Sequence, residues 1–379
     1  MRVLCFRTLD ELTPYAADWD RLAGGVPLRG WTWLSTWWRH YGSDDQQARP
    51  RTRLFIPCVL DDRNTLVGLA PWCLDSSASH GRVLRMLGSG EVCSDYLSVL
   101  CHPGLEEQVT QALVDHLTGD DGRRCIPRWD LLEMSGVDAE DRAVGRLVDQ
   151  FAGRGIAVHR RPGMNCWRTE LPTSWDEYVA TLSKNRRRQV RRTERDYIES
   201  GRAVLHVVER SDELPAALDL LIELHQRRQQ AVGHPGCFAS PRFTAFNREV
   251  VPALFRCGQL QFYRLEVDGR PVATEFALSG DGVLYAYQAG VDPDALEHEP
   301  GKLINLLMIR RAIEQGYRAF DFLRGDEPYK AHFAAVARPS IEVRVVADRA
   351  AARLRHSLWL AKYNVKRWLK RRLQTTAGE

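Results

Sequence analysis

The chain has 379 residues, of which 44% are hydrophobic and 27% charged, the composition of an ordinary globular protein. Its net charge of +4, from 53 basic and 49 acidic residues, is too small for a polycation that binds nucleic acid over its whole surface. A chain of this length is expected to form two domains. No apolar run approaches the roughly 18 residues of a membrane span, and the N-terminal run is too short for a signal peptide.

The nine cysteines are scattered along the chain. None forms a C-x-x-C motif, and none lies in a Cys/His cluster with the spacing of metal ligands. We therefore expect reduced thiols, a cytoplasmic location and no bound metal.

The first half of the chain predicts a mixed sheet crossed by one helix. Residues 52–75 read as a hairpin and residues 95–100 as a further strand, with a long loop near 76–90 between them. A helix over 104–117 and a strand over 128–133 follow. Before them lies a tryptophan-rich stretch for which we expect core packing, with an aromatic platform for a sugar as the alternative (Trp31, Trp33, Trp37, Trp38).

Helices are predicted between the two halves. Ser174 and Glu177 form a capping box that opens a helix over 175–182. Ser183 is the expected N-cap of the next helix and Gly201 its stop. Two longer helices are expected further on, over residues 214–230 and 241–257.

The second half repeats the order of the first. Residues 259–280 predict a hairpin, because Asp268-Gly269 is a strong turn signal between two apolar strands. A strand over 283–288, an apolar-faced helix over 301–315 and a strand over 319–324 follow. The sequence thus predicts an α/β (α+β) fold with two similar mixed sheets, each crossed by a helix.

Several motifs of this second half resemble the CelD/BioF-like branch of the GNAT acetyltransferase superfamily, which is similar to the Fem-type aminoacyltransferases of peptidoglycan. The motifs that carry the resemblance include Glu299-Pro-Gly-Lys302, Phe320-Asp-Phe-Leu-Arg-Gly325 and Glu327-Pro-Tyr-Lys330. The resemblance implies tandem GNAT-like domains, each a mixed, mostly antiparallel sheet flanked by helices. We expect a structural or acceptor-shaping domain over 1–165, an acyl-donor domain over 166–346 and a basic amphipathic helix over 347–379.

A donor site is predicted where the strand over 283–288 leads to the next helix. Free N–H groups and the helix dipole favour a phosphate at such a helix start, Gly301 allows close approach, and Lys302 adds charge. The alternative is a plain loop-to-helix junction. The full set of expected contacts to acetyl-CoA or another acyl-CoA is Gln288, Gly290, Pro300, Gly301, Lys302, Leu303 and Asn305. In the first half, Glu106 and Glu107 occupy the matching helix start and would repel a phosphate.

Acyl transfer needs a base for the proton of the acceptor and a donor for the leaving group. The sequence has no nucleophile motif, so direct transfer is favoured. Glu275, within an apolar strand, is either a base of raised pKa or a solvent-facing or ion-paired residue. Asp321 is a catalytic candidate with a structural alternative, and Glu327 and Tyr329 are candidates for base and acid, with an ordinary turn as the alternative.

Residues expected to contact the acceptor lie on both sides of these candidates. Tyr285 and Tyr287 share one face of their strand and either line a cleft or pack in the core. Arg324 and Lys330 are further candidates for acceptor binding, with phosphate binding as the alternative for Lys330. We therefore expect the partners to be acyl-CoA and an anionic or glycan-linked acceptor.

A basic helix begins at Ser183. Arg187, Arg188 and Arg191 cover the side opposite a rough apolar stripe, into which Arg186 falls. This pattern suits an anionic acceptor or a solvated face. Nucleic acid is disfavoured, because no RNA-binding motif or interleaved aromatic residue accompanies the run.

The C-terminal segment is both basic and amphipathic. Leu354, Leu358, Ala361 and Val365 fall on one helical face, and Lys and Arg residues accumulate toward the end. Such a helix either lies on an anionic membrane at the inner face or docks on the protein.

The sequence and the resemblance together predict an acyltransferase that moves an acyl group, such as acetyl, from acyl-CoA to an amine or hydroxyl. Cell-envelope or polysaccharide metabolism is the expected setting. The alternatives are transfer from aminoacyl-tRNA to a peptidoglycan precursor, and a GNAT-like binding protein without catalysis.

Overall fold

In this computed structural model the chain forms two mixed β-sheets with helices packed on them. The structure describes residues 1–42, 52–77, 81–119, 128–361 and 363. The strands of the first sheet are β1 (Arg2–Phe6), β2 (Thr52–Leu60), β3 (Leu66–Leu69), β4 (Trp72–Ser77), β5 (Gly81–Met86), β6 (Leu100–Cys101), β7 (Leu131–Asp138), β8 (Ala157–Pro162) and β16 (Ser340–Val346). The strands of the second sheet are β9 (Cys166–Glu170), β10 (Ala203–Val207), β11 (Leu260–Val267), β12 (Arg270–Gly280), β13 (Val283–Val291), β14 (Ala319–Arg324) and β15 (Val336–Arg338).

The described residues contain ten α-helices with defined limits, which cover the sheet faces or join the strands. They are α1 (Leu9–Leu12), α2 (Ala16–Leu22), α3 (Trp31–Tyr41), α4 (Glu106–Thr118), α5 (Arg142–Gly153), α6 (Trp175–Thr181), α7 (Lys184–Thr193), α8 (Leu214–Ala231), α9 (Pro241–Arg256) and α10 (Pro300–Glu314). A six-residue π-helical segment, Glu194–Glu199, continues α7. A further helix, the C-terminal helix, covers residues 350–361.

Each sheet is antiparallel except for one parallel pair. In the first sheet β5 pairs with β7, and in the second β13 pairs with β14. The chain between the paired strands includes α4 in the first case and α10 in the second, which are the predicted crossover helices. The predicted fold class, two mixed and mostly antiparallel sheets flanked by helices, is confirmed.

The predicted strand over residues 95–100 is wrong. The strand that follows the hairpin over residues 52–75 is β5, which lies in the stretch predicted as a loop. Only Leu100 and Cys101 of the predicted strand are paired, as β6. The alternating sequence before Leu100 resembles a strand, but its polar residues are not directed to solvent. Asp95 and Ser98 are only 2% exposed, because this segment lies between the two sheets.

The hairpin predicted at Asp268-Gly269 is confirmed. Asp268 has a φ of 51° and Gly269 a φ of 74°, the two consecutive positive values that a tight hairpin turn requires. The turn fixes the register of β11 against β12, so that Phe262 faces Phe276 across the pair. The two rings lie 5.7 Å apart in the core beneath the sheet.

One strand, β16, returns to the first sheet after the second sheet is complete. β9 follows β8 in the chain but lies between β14 and β15 of the second sheet. β16 follows β15 but lies between β7 and β8 of the first sheet. Residues 340–346 therefore complete the first sheet, and the domain limits given above remain a prediction.

Buried side chains join the two units, each of which is one sheet with its helices. Trp33 is fully buried, donates its indole N–H to Ser94 Oγ at 2.8 Å and packs edge-on against Phe246 and Tyr287. Trp37 is also buried. The core interpretation of these two tryptophans is confirmed.

The predicted N-caps between the two halves are confirmed, but the capping box is not complete, since the Glu177 carboxylate accepts from the Thr173 hydroxyl. Ser174 accepts a hydrogen bond from the backbone N–H of Glu177, and Ser183 from that of Arg186. Gly201 ends the helical run with a φ of 73°. The buried side of α6 and α7 includes Val179 and Val190, which hold the basic helix against the second sheet.

The C-terminal helix docks on the first sheet by a face other than the predicted stripe. Ala352 is 3% exposed, and the Trp359 ring stacks on the Arg344 guanidinium with 3.9 Å between the guanidinium carbon and the ring centroid. Leu354 and Leu358, in contrast, are 63% and 56% exposed. The rest of the predicted pattern, from Val365 onward, lies outside the described residues.

None of the helices in the described part of the chain is long and apolar enough to cross a bilayer. The same residues contain no group of three or more His, Cys, Asp or Glu side chains arranged to hold a metal ion.

Candidate active site

A bulge in β13 opens a cleft in the second sheet. Phe276 of β12 pairs with Gln288, but the next residue of β12 pairs with Ala286, so Tyr287 is the extra residue. On its other side β13 pairs with β14 over three residues only and stops at Tyr285, opposite Asp321. Beyond this point the two parallel strands have no mutual pairing, and an extended ligand with amide groups can lie between them.

A cavity of about 590 Å³ occupies this opening, which we call the β13–β14 cleft. Its walls come from β12, β13, the start of α10, the end of β14 and the turn after it. Five of the seven residues predicted to contact the donor line it: Gln288, Pro300, Gly301, Lys302 and Asn305. The other two do not, because Gly290 packs against the backbone of α8 and Leu303 is buried on the other side of α10.

The start of α10 supplies a polar end to the cleft. Glu299, at the N-cap position, has a left-handed backbone with a φ of 47° and makes no side-chain cap. Its carboxylate forms an ion pair with Lys302. Asn305 is 7% exposed and donates to the Gly301 carbonyl at 2.7 Å, while its Oδ1 has no partner within the described structure. An unpartnered buried amide oxygen beside a cleft can accept a hydrogen bond from a ligand.

Glu275 is the most perturbed carboxyl group of the cleft. It is 4% exposed, and its Oε2 has no hydrogen-bond partner among the described residues. Burial raises the pKa of Glu275 to about 8. The solvent-facing and ion-paired alternatives for this residue are wrong, since it lines the cleft from β12. A carboxyl group with a pKa near the working pH is suited to general base catalysis.

Tyr329 and Glu327 lie in the turn after β14 and also line the cleft. Burial, together with the nearby carboxyl groups of Glu275 and Glu327, raises the pKa of Tyr329, so its hydroxyl remains a proton donor. Lys330 is 2% exposed and directs its ammonium to the carbonyls of residues 323, 324 and 325 at 3.0–3.2 Å. It also pairs with Glu327 at 2.9 Å. This geometry holds the turn in place and leaves the ammonium little capacity for a ligand.

Asp321 lies at the contact between the two units. Its carboxylate accepts hydrogen bonds from the Tyr96 hydroxyl at 2.5 Å and from the Leu323 N–H at 2.8 Å. Burial raises the pKa of Asp321 to about 6. It does not line the cleft, and both carboxylate oxygens are occupied by protein donors, which favours the structural alternative.

Arg324 reaches the cleft but is fixed by the first unit. Its guanidinium is ion-paired with Asp95 and donates to the Ser94 carbonyl at 2.7 Å. Tyr287 also borders the cleft, and its hydroxyl donates to the Val92 carbonyl at 2.8 Å. Tyr285 is 4% exposed and packs against Tyr96 instead. The floor of the cleft is thus held by a segment of the other unit, residues 92–96.

The predicted arginine contacts on α7 lie outside the cleft. Arg187 donates to the Ala180 and Leu182 carbonyls at 3.1 and 2.7 Å, which closes the end of α6. Arg188 and Arg191 are exposed and line no described cavity near the cleft. Arg186, which interrupts the predicted apolar stripe, instead lines a second cavity next to α10. The position of Arg186 within the predicted apolar stripe was the feature of the sequence that could have identified it as a cavity-lining residue.

The matching place in the first sheet is filled by charge pairs. Glu133 of β7 accepts from Arg344 at 2.6 Å and lies 3.5 Å from Arg85 of β5. The helix that follows β5 carries Glu106 and Glu107 in its first turn, as the sequence indicated. The start of α4 therefore lacks the favourable electrostatics of the α10 start in the second unit.

Sequence reasoning missed a thiol–imidazole contact behind the cleft. The Cys237 Sγ lies 3.3 Å from His225 Nε2, and His225 Nδ1 lies 3.0 Å from the Ala289 carbonyl. A carbonyl only accepts, so Nδ1 carries the proton and Nε2 faces the thiol as an acceptor. Burial raises the pKa of Cys237 to about 11, so the thiol is neutral. Cys237 and His225 are 12 positions apart in the sequence and meet only because the chain folds, so no local motif identifies the pair.

Residues 184–331 match the family described as the acetyltransferase (GNAT) domain, a segment shorter than half of the chain. No curated protein matches the sequence. The structure is similar to that of FemX, with a TM-score of 0.64, 11% identity and coverage of 93% of this chain and 99% of that one.

Two further solved structures share the fold. The C-terminal domain of a protein assigned as a lysylphosphatidylglycerol synthetase from Agrobacterium fabrum has a TM-score of 0.53 at 11% identity, over 94% of this chain and 97% of that one. A conserved protein of unknown function from Bacteroides thetaiotaomicron has a TM-score of 0.52 at 14% identity, over 89% and 96%. At such identities the likeness concerns the fold alone.

The cleft lies within the matched segment, which contains Glu275, the start of α10 and Tyr329. Residues 184–331, which match the acetyltransferase (GNAT) domain, supply strands β10 to β14 of the second sheet and the whole lining of the cleft.

Proposed function

We propose that the protein is an acyltransferase that moves an acyl group from acyl-CoA to an amine or hydroxyl acceptor in the β13–β14 cleft. The observation that carries this proposal is the cleft itself: two parallel strands separate beside a helix start, and the neighbouring strand β12 directs an isolated buried carboxyl group into the opening. The pantetheine arm of acyl-CoA is an extended chain with amide groups, which suits an unpaired strand edge. Its pyrophosphate suits the start of α10.

The residues of the cleft divide the proton transfers between them. The carboxylate form of Glu275 takes a proton from the acceptor nitrogen or oxygen as that atom attacks the thioester carbonyl. The tetrahedral intermediate then breaks its carbon–sulfur bond, and the Tyr329 hydroxyl donates to the leaving sulfur. A proton then passes from the Glu275 carboxyl group to the Tyr329 phenolate and restores both residues, so the net result is that the acceptor loses one proton and the CoA thiol gains one. Glu327, ion-paired with Lys330, is the less suitable base.

Direct binding of the donor tests the proposal. Calorimetric titration of the full chain with acetyl-CoA is expected to give a saturable isotherm, which Lys302→Glu weakens by placing a negative charge at the start of α10. A chain that takes up no acetyl-CoA at millimolar concentration would contradict the proposal. Charged tRNA, added to the same preparation in a mobility-shift assay, tests the aminoacyl-tRNA alternative.

The acceptor setting remains part of the proposal. We infer a glycan-linked or otherwise anionic acceptor of cell-envelope or polysaccharide metabolism, in line with the sequence resemblance to the CelD/BioF-like branch. The fold likeness to FemX is compatible with this setting. A cytoplasmic location, with contact to the inner membrane face, completes the proposed setting.

Membrane contact is proposed through the exposed stripe of the C-terminal helix. Replacing Leu354 and Leu358 together by Ser is expected to reduce the bound fraction in sedimentation with phosphatidylglycerol vesicles, because both side chains are more than half exposed and precede a basic segment. Val336→Ser is the matched control, an apolar residue 69% exposed on another element. Equal binding of the double variant and the control would count against membrane contact.

A further inference from the structure

The C-terminal helix meets the first sheet through aromatic rings that lie on arginine side chains. The Trp359 ring centroid is 3.9 Å from the guanidinium carbon of Arg344 and 5.0 Å from that of Arg161. The Tyr363 ring, just after the helix, is 5.0 Å from Arg161 as well. A neutral ring attracts a cation through its quadrupole, and this attraction requires no negative charge on the helix. Residues 350–361 contain no Asp or Glu.

His356 lies within this contact. Its ring stacks on the Trp359 ring with 5.7 Å between centroids, and the His159 ring of β8 lies 5.8 Å away. The Nδ1 atom of His356 is buried and has no hydrogen-bond partner among the described residues. A neutral imidazole can leave this nitrogen without a proton, but an imidazolium carries an N–H on both nitrogens. Protonation would therefore create a buried donor without an acceptor, which is a costly arrangement.

The charged groups around His356 and Trp359 come from three strands and from the helix itself. They are His159 and Arg161 on β8, Glu342 and Arg344 on β16, Glu133 on β7, Asp130 just before β7, and Arg353 and Arg355 on the helix. Each of the three acids already has an arginine partner. The pairs are Glu133 with Arg344, Glu342 with Arg161, and Asp130 with Arg349 and Arg355. A proton on His356 thus adds positive charge beside Arg344 and His159, with no acid of its own to balance it.

These surroundings make the docking of the helix depend on pH. Burial and the positive charges of Arg344 and His159 lower the pKa of His356 from its ordinary value of 6.5. A released helix regains that ordinary value, so it binds the proton more tightly than the docked helix does. Docking is therefore strongest above pH 6.5 and weakens as the pH falls below it.

Little apolar burial holds the helix in place. Among residues 350–361 only Ala352 is fully buried. A cavity of about 40 Å³ remains between the helix and the sheet, beside Arg344 and Trp359. Elements with few buried apolar contacts are the first to open, so a change of one charge can shift the equilibrium between docked and released helix.

We propose that the C-terminal helix is a pH-dependent docking element, which protonation of His356 releases from the first sheet. Release exposes the Trp359 and Tyr363 rings, whose combined apolar and polar character suits the boundary between a bilayer and water. The stack of His356 on Trp359 is internal to the helix and persists on release, so it does not oppose the effect. Neither the donor nor the acceptor of the proposed acyl transfer is involved, so the two proposals stand or fall separately.

Hydrogen exchange measured by mass spectrometry tests the release, with rates corrected for the pH dependence of unstructured amides. In the full chain, protection of residues 350–361 is expected to fall by about fivefold or more between about pH 7.5 and about pH 5.5, the lower end of typical coupling between linked equilibria. Protection of β12 should stay unchanged, because release is local. His356→Phe keeps an aromatic ring without the proton and is expected to remain protected at both pH values. His356→Arg carries a permanent charge and is expected to be poorly protected at both.

His234→Phe is the matched control. His234 is an exposed histidine after α8, and its replacement should leave the pH response intact. Equal protection of residues 350–361 at both pH values in the unmodified chain would overturn the inference. So would an undiminished pH response in His356→Phe, including one that disappears only in His159→Phe, because another group would then control release. A loss of protection that extends to β12 would overturn it as well, since the whole chain would then unfold.

Discussion

Replacing Glu275 by Gln is expected to lower kcat by about 10²–10⁴-fold, the usual contribution of a positioned general base. The substitution keeps the volume and the buried position of the side chain but removes its capacity to take a proton. The measurement is release of the CoA thiol from acetyl-CoA with an amino-sugar acceptor such as glucosamine. Glu327→Gln, in the same cleft, is the matched control and is expected to lose much less.

The pH profile gives this prediction a second readout. Only the carboxylate form of Glu275 accepts a proton, and its pKa is about 8. The rate of the unmodified enzyme should therefore rise with pH up to about 8 and level off above it, and this rise should be absent in Glu275→Gln. A profile that is the same in both proteins would show that Glu275 is not the base.

The same group affects stability in the opposite direction. Because the folded pKa is raised above the ordinary value of 4.5, the folded chain holds this proton more tightly than the unfolded chain does. The stabilising contribution is complete below the unfolded pKa and is lost as pH rises from about 4.5 to about 8. Activity and stability thus have opposing pH dependences at one side chain, a common property of functional groups held in costly environments.

Replacing Asp95 by Ala is expected to destabilise the fold by about 3–5 kcal/mol, because it leaves a largely buried guanidinium without its partner. Asp95 is 2% exposed, and its carboxylate binds both the side chain and, at 3.0 Å, the backbone N–H of Arg324. Urea denaturation at neutral pH measures the change. We also expect weaker donor binding, since Arg324 lies on the cleft floor.

The control for Asp95 is an ion pair of the same types in solvent. Asp219 and Arg248 have side chains 59% and 50% exposed, and Asp219→Ala is expected to cost no more than about 1 kcal/mol. A similar loss in both variants would mean that the pair between the units contributes nothing beyond surface attraction. The double variant Asp95→Ala with Arg324→Met should recover part of the loss, since it removes the unpaired charge.

Local signals in the sequence predicted the elements of this fold well. Ser174, Ser183 and the Asp268-Gly269 turn each determine the backbone of residues at most four positions away. Such short-range effects can be predicted from the local sequence pattern. The repeated order of hairpin, strand, helix and strand identified both sheets. Glu275 was found because a carboxyl group in an apolar strand conflicts with its neighbours, and such conflicts mark functional positions.

What the sequence did not reveal depends on contacts between distant residues. The segment around Asp95 resembles a strand, and only its partners on β14, more than 220 positions away, explain why it is not one. The choice of Arg187 rather than Arg186 reflects helix phase, since neighbouring residues point about 100° apart and the edge of a stripe cannot be located to one residue. The return of β16 to the first sheet leaves no local signal at all.

The return of β16 to the first sheet has a consequence for how the protein is made. On the ribosome, β7 and β8 are synthesised more than 170 residues before β16, the strand that must lie between them. Until then the first unit has two open strand edges, which are sites for mispairing with other chains. Pairing over such a sequence separation is also slow, because a long loop must close first. We therefore expect the two units to reach their native state as one cooperative body, and a chain cut between them to yield neither half as a folded product.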